Sequence, residues 1–135
     1  MSKLLERLRD PARSGVYRAR VATDIEQATR ASSLDVVAID ARADVLGAIA
    51  KALDFPSWFG ANWDALEDCL SDLSWRERQG YVLLLANYPQ DDALGVLSDV
   101  LRSVAQYWAS RGKPFFAVFL DPEKKLALPD LYREA

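Results

Sequence analysis

What most constrains the fold of this chain is the alternation of short apolar runs with segments of helical period. Tyr81–Asn87 (YVLLLAN) and Phe115–Leu120 (FFAVFL) are almost continuously apolar, as expected of strands covered on both faces. Leu34–Ala41 (LDVVAIDA) carries the β-branched cluster Val36, Val37 and Ile39 and reads as a further strand. Between these runs, Val45, Leu46, Ile49 and Leu53 recur at helical spacing within Asp44–Leu53. Leu94, Leu97, Leu101, Val104 and Trp108 form the stripe of a long helix that opens at Asp91-Asp92, runs to about Arg111 and stops at Gly112. Phe55-Pro56 breaks the chain, Gly60 marks a tight loop, and Asn62 is an N-cap for a helix from Trp63 to about Leu73. From residue 34 the order is therefore β-α-α-β-α-β. Strands separated by helices pair in parallel through right-handed crossovers, so the expected class is α/β: a single domain with a small parallel sheet packed with helices.

Ahead of that core, residues 1–9 read as a short basic helix ended by Asp10-Pro11, Gly15–Val21 as a strand suited to a sheet edge, and Asp24–Ala31 as a short helix. The chain thus divides into an N-terminal extension (1–33), a core (34–121) and a C-terminal tail (122–135). The tail's Leu126, Leu128, Leu131 and Tyr132 fit either a short helix or a loose segment.

Several kinds of chemistry are excluded outright. There is no histidine, which removes the commonest general base and metal ligand, and Cys69 is the only cysteine. Ser-His-Asp, Cys-His and thiolate zinc sites are therefore impossible, and so is an intrachain disulfide; a reducing cytoplasm is the expected location. No cofactor and no metal is expected. The apolar runs are far too short to span a bilayer, and the start MSKLLERLRD lacks an apolar signal-peptide core. A net charge of −3 argues against nucleic acid as the direct partner.

The charge is unevenly placed. Residues 54–75 (DFPSWFGANWDALEDCLSDLSW) hold five acids (Asp54, Asp64, Glu67, Asp68, Asp72), no Lys or Arg, and the tryptophans Trp58, Trp63 and Trp75. Acids interleaved with large aromatics suit a surface that docks on something basic. On a helical wheel centred on Leu66, the side chains of Trp63, Cys69, Leu70 and Leu73 fall within about 60° and form the core face. Asp64, Glu67 and Asp68 fall between about 100° and 200°, on one ridge beside Ser71. A bland account of the acids alone is that they favour the helix dipole on a solvated face. The adjoining Trp58-Phe59 pair weighs against it, because a surface loop rarely buries two adjacent aromatics: one is expected inside and the other beside the ridge. Cys69 reads as a buried, inert thiol, Trp63 as a cover for the core and Asp40 as a loop N-cap; Trp75 is open between core and surface.

The run Trp58-Phe59-Gly60-Ala61-Asn62-Trp63-Asp64-Ala65-Leu66-Glu67-Asp68-Cys69-Leu70 resembles the signature of the barstar family of ribonuclease inhibitors, and the elements over residues 34–121 follow in family order. The resemblance implies a small cytoplasmic protein, monomeric when free, that plugs the active site of a secreted or toxin ribonuclease. By motif position it implies Trp58 as the loop aromatic packed on the enzyme, with Phe59 beside it. Asp64 and Asp68 become the acidic contacts, Asp68 entering the phosphate site, and Gly60 and Asn62 shape the loop. Trp75 lies near the family's aromatic after this helix. Two positions depart from the pattern: Glu67 stands where the type member has an aromatic, and Tyr107 where it has an acid. Two other functions compete, beside a purely structural α/β domain whose acids only provide solubility, which leaves Trp58-Phe59 and the signature match unexplained. One is a docking or immunity module for a basic protein that is not a ribonuclease. The other is an enzyme in which Asp64, Glu67 and Asp68 bind Mg²⁺ or act as acid and base, although no Lys, Arg or His lies near them in sequence to handle a substrate.

Overall fold

The computed structural model describes residues 3–131. In chain order the elements are α1 (Lys3–Leu8), a 3-10 turn (Pro11–Arg13), β1 (Gly15–Ala19), α2 (Thr23–Thr29), β2 (Leu34–Asp40), α3 (Val45–Ala52), α4 (Trp63–Leu70), a second 3-10 turn (Ser74–Arg76), β3 (Gly80–Asn87), α5 (Asp92–Ser110) and β4 (Phe115–Leu120). The strands form one sheet of order β1-β4-β3-β2. Every pairing is parallel, with Gly15 opposite Phe116, Tyr81 opposite Phe115 and Leu34 opposite Gly80. The expected α/β class with a small parallel sheet is what the chain adopts, and β1 supplies an edge strand to it.

This strand order explains how the core is divided. The path β2→β3→β4 steps in one direction across the sheet, whereas β1→β2 runs the other way, from edge to edge. Right-handed crossovers then place α3, α4 and α5 on one face and α2 on the opposite face. The buried side chains separate accordingly. Ile49, Leu66, Leu70, Leu101, Val104 and Trp108 pack with Tyr81, Leu83, Leu85, Phe115, Ala117 and Phe119 on the first face. Leu8 and Ile25 pack with Val82, Leu84, Phe116 and Val118 on the second. Both faces of β3 and β4 are thus covered, which is why their sequences are apolar without alternation.

Capping follows the sequence closely. Asp44 Oδ1 accepts from the Gly47 amide at 3.1 Å and Asp91 Oδ1 from the Ala93 amide at 3.0 Å. At the other end of α5, Gly112 takes φ 79°. Its amide donates to Ala109 O and that of Lys113 to Trp108 O, each at 3.0 Å, a paired closure that needs a left-handed residue. Asp40, read as a loop N-cap, accepts from the Arg42 amide at 3.3 Å and closes a turn, while the cap of α3 is Asp44.

Two expectations need correction at the ends of the chain. The edge strand stops at Ala19 rather than Val21, since the chain turns there into α2. The tail is neither helical nor loose over its described part. The Arg18 amide donates to Pro129 O and the Leu131 amide to Arg18 O, both at 2.9 Å, so the tail closes the open side of β1. Leu126 and Leu128 pack on one core cluster and Leu131 is buried in the other. An edge that would otherwise present unpaired backbone groups is covered by the chain itself. Tyr132 lies outside the described residues.

Candidate functional site

Helix α4 is started by Asn62, whose Oδ1 accepts from the Ala65 amide at 2.8 Å. Leu66, Cys69 and Leu70 are fully buried, as the wheel requires, and Trp63 is half-buried against the same cluster. The helix ends at Leu70, earlier than expected. Leu73 still reaches the core at 1% exposure, from a left-handed backbone with φ 50°. Its apolar character looked helical because it is buried on the same side, but the backbone has already turned. The indole N–H of Trp108 donates to Leu70 O at 2.8 Å and fixes the end of α4 to α5.

The acids separate into different environments. Asp64, Asp68 and Asp72 are exposed, and among the described residues none of them has an ion-pair partner. Glu67, on the same ridge, is half-buried and accepts from the Ser103 hydroxyl of α5 at 2.9 Å. Glu67 and Ala65 lie on opposite flanks of Asp64 and Asp68. Ser103 therefore borders the ridge on one side. The loop borders it on the other, where a methyl group at Gly60 would stand 3.7 Å from that of Ala65. Asp54 is not part of the ridge: its Oδ2 lies 2.8 Å from Nη1 of Arg76, the residue directly after the acidic window.

In the loop, the two adjacent aromatics divide between the inside and the surface, as expected. Phe59 is half-buried and stands edge-on to Phe55, ring centroids 5.0 Å apart, while Trp58 is 65% exposed. Trp75 is half-buried against the core cluster, stands edge-on to both Phe55 and Trp58, and donates from Nε1 to Leu53 O at 3.0 Å. Just ahead of α4 the left-handed residue is Ala61, φ 53°, not Gly60. Of the four non-glycine residues with positive φ among the described residues, Asp54, Ala61 and Leu73 fall in this stretch. A left-handed alanine or leucine costs about 1–2 kcal/mol, and strain of that kind persists only where the surroundings enforce it.

Cys69 is fully buried, and burial, then Asp68 and Asp72, push its thiol above the ordinary value. The thiol is a poor nucleophile there. We expect it to stay unreactive to a water-soluble disulfide reagent until the fold opens. Because folding raises its pKa, the unfolded chain loses this proton first. The stability linked to it is complete below the unfolded value near 9.0 and declines as pH rises through the folded value. Urea midpoints between pH 7 and 10 for wild type and Cys69→Ala test this, the variant showing the shallower decline. Among the described residues no three acids or cysteines converge to share a metal ion.

The sequence reading missed Arg76, Asp35 and Ser103. Arg76 reaches the carboxylate of Asp35 in β2 through Nε at 2.5 Å and Nη2 at 3.2 Å. These hydrogen bonds, against the effect of burial, hold the guanidinium's pKa above its usual value. An acid inside a strand, Asp35, was the available signal, because a buried carboxylate demands a partner. Ser103 had no signal short of the packing of α4 on α5.

Among known proteins, the family model described as barstar (barnase inhibitor) matches residues 29–120. No curated protein and no solved structure matches the chain. The matched stretch takes in β2, α3, α4, β3, α5 and β4 and leaves out α1, β1 and the tail. With well over half of its 135 residues matched, in the order and topology described above, the chain belongs to the barstar family.

Proposed function

We propose that this protein inhibits a ribonuclease by placing Asp68 and Asp64 in its cationic active site, with Trp58 packed alongside. The observation that carries the reading is that both aspartates are exposed and without a described ion-pair partner, between the Trp58 loop and α5. A nuclease cleft is lined with cations that stabilise a phosphodiester, and a carboxylate placed there accepts the hydrogen bonds meant for phosphate. Desolvating both charges is costly, so the contact must be dry and closely fitted; Trp58, Phe59 and Trp75 supply the apolar rim. Glu67, held by Ser103, acts as a fixed negative charge beside the two contacts. No group of the inhibitor takes part in chemistry, and a cytoplasmic site of action protects the host from its own enzyme.

The test is capture of ribonucleases from the host lysate on the immobilised protein, followed by an RNA-cleavage assay of the captured enzyme with added inhibitor. Recovery of only a basic protein without nuclease activity would redirect the reading to a docking or immunity module. Association is expected to approach about 10⁸–10⁹ M⁻¹s⁻¹ at low salt and to slow steeply as salt rises. A stopped-flow series over ionic strength reads this, and a flat profile would remove electrostatic steering. Trp58→Ala is expected to weaken binding by about 2 kcal/mol without lowering the urea midpoint, since the ring is largely in solvent in the free protein.

A further inference from the structure

We propose that Arg76 and Trp75 are positioning residues that hold the Asp54–Asn62 loop, and with it Trp58, in a fixed pose. What the loop is fixed for rests on the inhibitor reading; how it is fixed does not. The loop leaves α3 at Leu53 and turns at once through the left-handed Asp54, φ 54°. These two residues are tied to consecutive residues of one short turn: Leu53 O accepts from Trp75 Nε1 at 3.0 Å, and Asp54 Oδ2 from Arg76 Nη1 at 2.8 Å. Arg76 is itself anchored, because its other donors bond Asp35, which is 8% exposed in β2 and paired with Tyr81 of β3. The restraint therefore runs from the sheet through Asp35 and Arg76 to the foot of the loop. The planar guanidinium makes this possible: its fixed fork serves two carboxylates at once.

Aromatic contacts carry the restraint onward. The Trp75 ring, oriented by its hydrogen bond, stands edge-on to Phe55 at 5.8 Å and to Trp58 at 6.4 Å. The backbone hydrogen bonds of residues 54–59 reach only α3 and the loop itself: Asp54 to Lys51, Phe55 to Ala50 and Phe59 to Pro56. Those bonds relate the loop to the sheet only by way of α3, whereas the Arg76 side chain links it to β2 directly through Asp35. The Asp54 carboxylate is 78% exposed, where an ion pair adds little to stability. Its effect is on the freedom of the loop, and a loop ordered in advance binds with less entropic loss.

Asp54→Gly tests the tie cleanly. Glycine takes the positive φ without strain, the Arg76–Asp35 pair is kept, and only a solvent-facing carboxylate is lost. The urea midpoint should stay at the wild-type value while amide exchange at Phe55 and Phe59 accelerates at least about tenfold. Arg76→Lys, which keeps a cation beside Asp35 but cannot span both acids, should accelerate the same amides. Against a ribonuclease captured by the wild-type protein, Asp54→Gly should speed dissociation at high salt, where loss of a steering charge is screened. Unchanged exchange in both variants would overturn the proposal whatever the protein binds. Accelerated exchange with no ribonuclease captured would leave the tie standing and sink the inhibitor reading instead.

Discussion

Asp68→Ala should abolish tight binding to the captured ribonuclease while leaving the free protein as stable as wild type. Asp68 is exposed on α4, with no described ion pair and no hydrogen bond to another element, so its removal strands nothing inside the inhibitor. In the proposed complex the situation would reverse. A carboxylate seated among the enzyme's cations is removed from water, and deleting it leaves those cations buried without a counter-charge. Breaking a buried pair in this way costs about 3–5 kcal/mol, which is roughly two to four powers of ten in Kd. Titration calorimetry or inhibition kinetics would read the change. The matching Asp72→Ala, an exposed acid outside the Asp64–Asp68 ridge, should alter Kd little. Equal losses from both variants would mean that the partner senses net charge rather than a seated carboxylate.

Arg76→Ala should be the most destabilising single change outside the apolar core. The guanidinium makes two hydrogen bonds to Asp35, at 2.5 and 3.2 Å, and Asp35 is nearly inaccessible to water. Truncating the arginine leaves the carboxyl group in the sheet with no partner, a loss of about 3–5 kcal/mol and a fall in Tm of about 10–20 °C. The penalty belongs to the stranded group more than to the pair. Replacing both residues together, Asp35→Val with Arg76→Met, should therefore restore much of the lost stability, since buried ion pairs are often no better than well-packed apolar groups. Thermal denaturation of the single and double variants decides the matter. A double variant no better than Arg76→Ala would show that Asp35 is not the source of the loss. The double variant should still show the faster loop exchange expected of Asp54→Gly, because the tie to Asp54 is gone in both.

Much of this molecule was readable from sequence because it depends on local period and local capping. The core strands and helices follow from apolar spacing, and Asn62 and Asp44 cap because their oxygens reach amides three residues on. The burial of Leu66, Cys69 and Leu70 and the outward position of Asp64 and Asp68 follow from the helical repeat alone. The reading went wrong where burial and helicity part company. Leu73 is apolar and inside, yet lies beyond the end of α4, because a left-handed residue returns the side chain to the core. The same limit applies at Ala61, whose backbone no local rule assigns.

Only the tertiary structure decided the rest, since it depends on residues far apart in the chain. The strand order β1-β4-β3-β2 sends the β1–β2 crossover to the opposite face and leaves an outer edge on β1 for residues 128–131 to close. The Arg76–Asp35 pair spans 41 residues and the Glu67–Ser103 bond 36. Local sequence specifies which face of a helix is charged, because side-chain direction repeats with the backbone. It does not specify which of those charges the rest of the molecule has already claimed: Asp54 is held by Arg76 and Glu67 by Ser103, while Asp64 and Asp68 are left to the solvent.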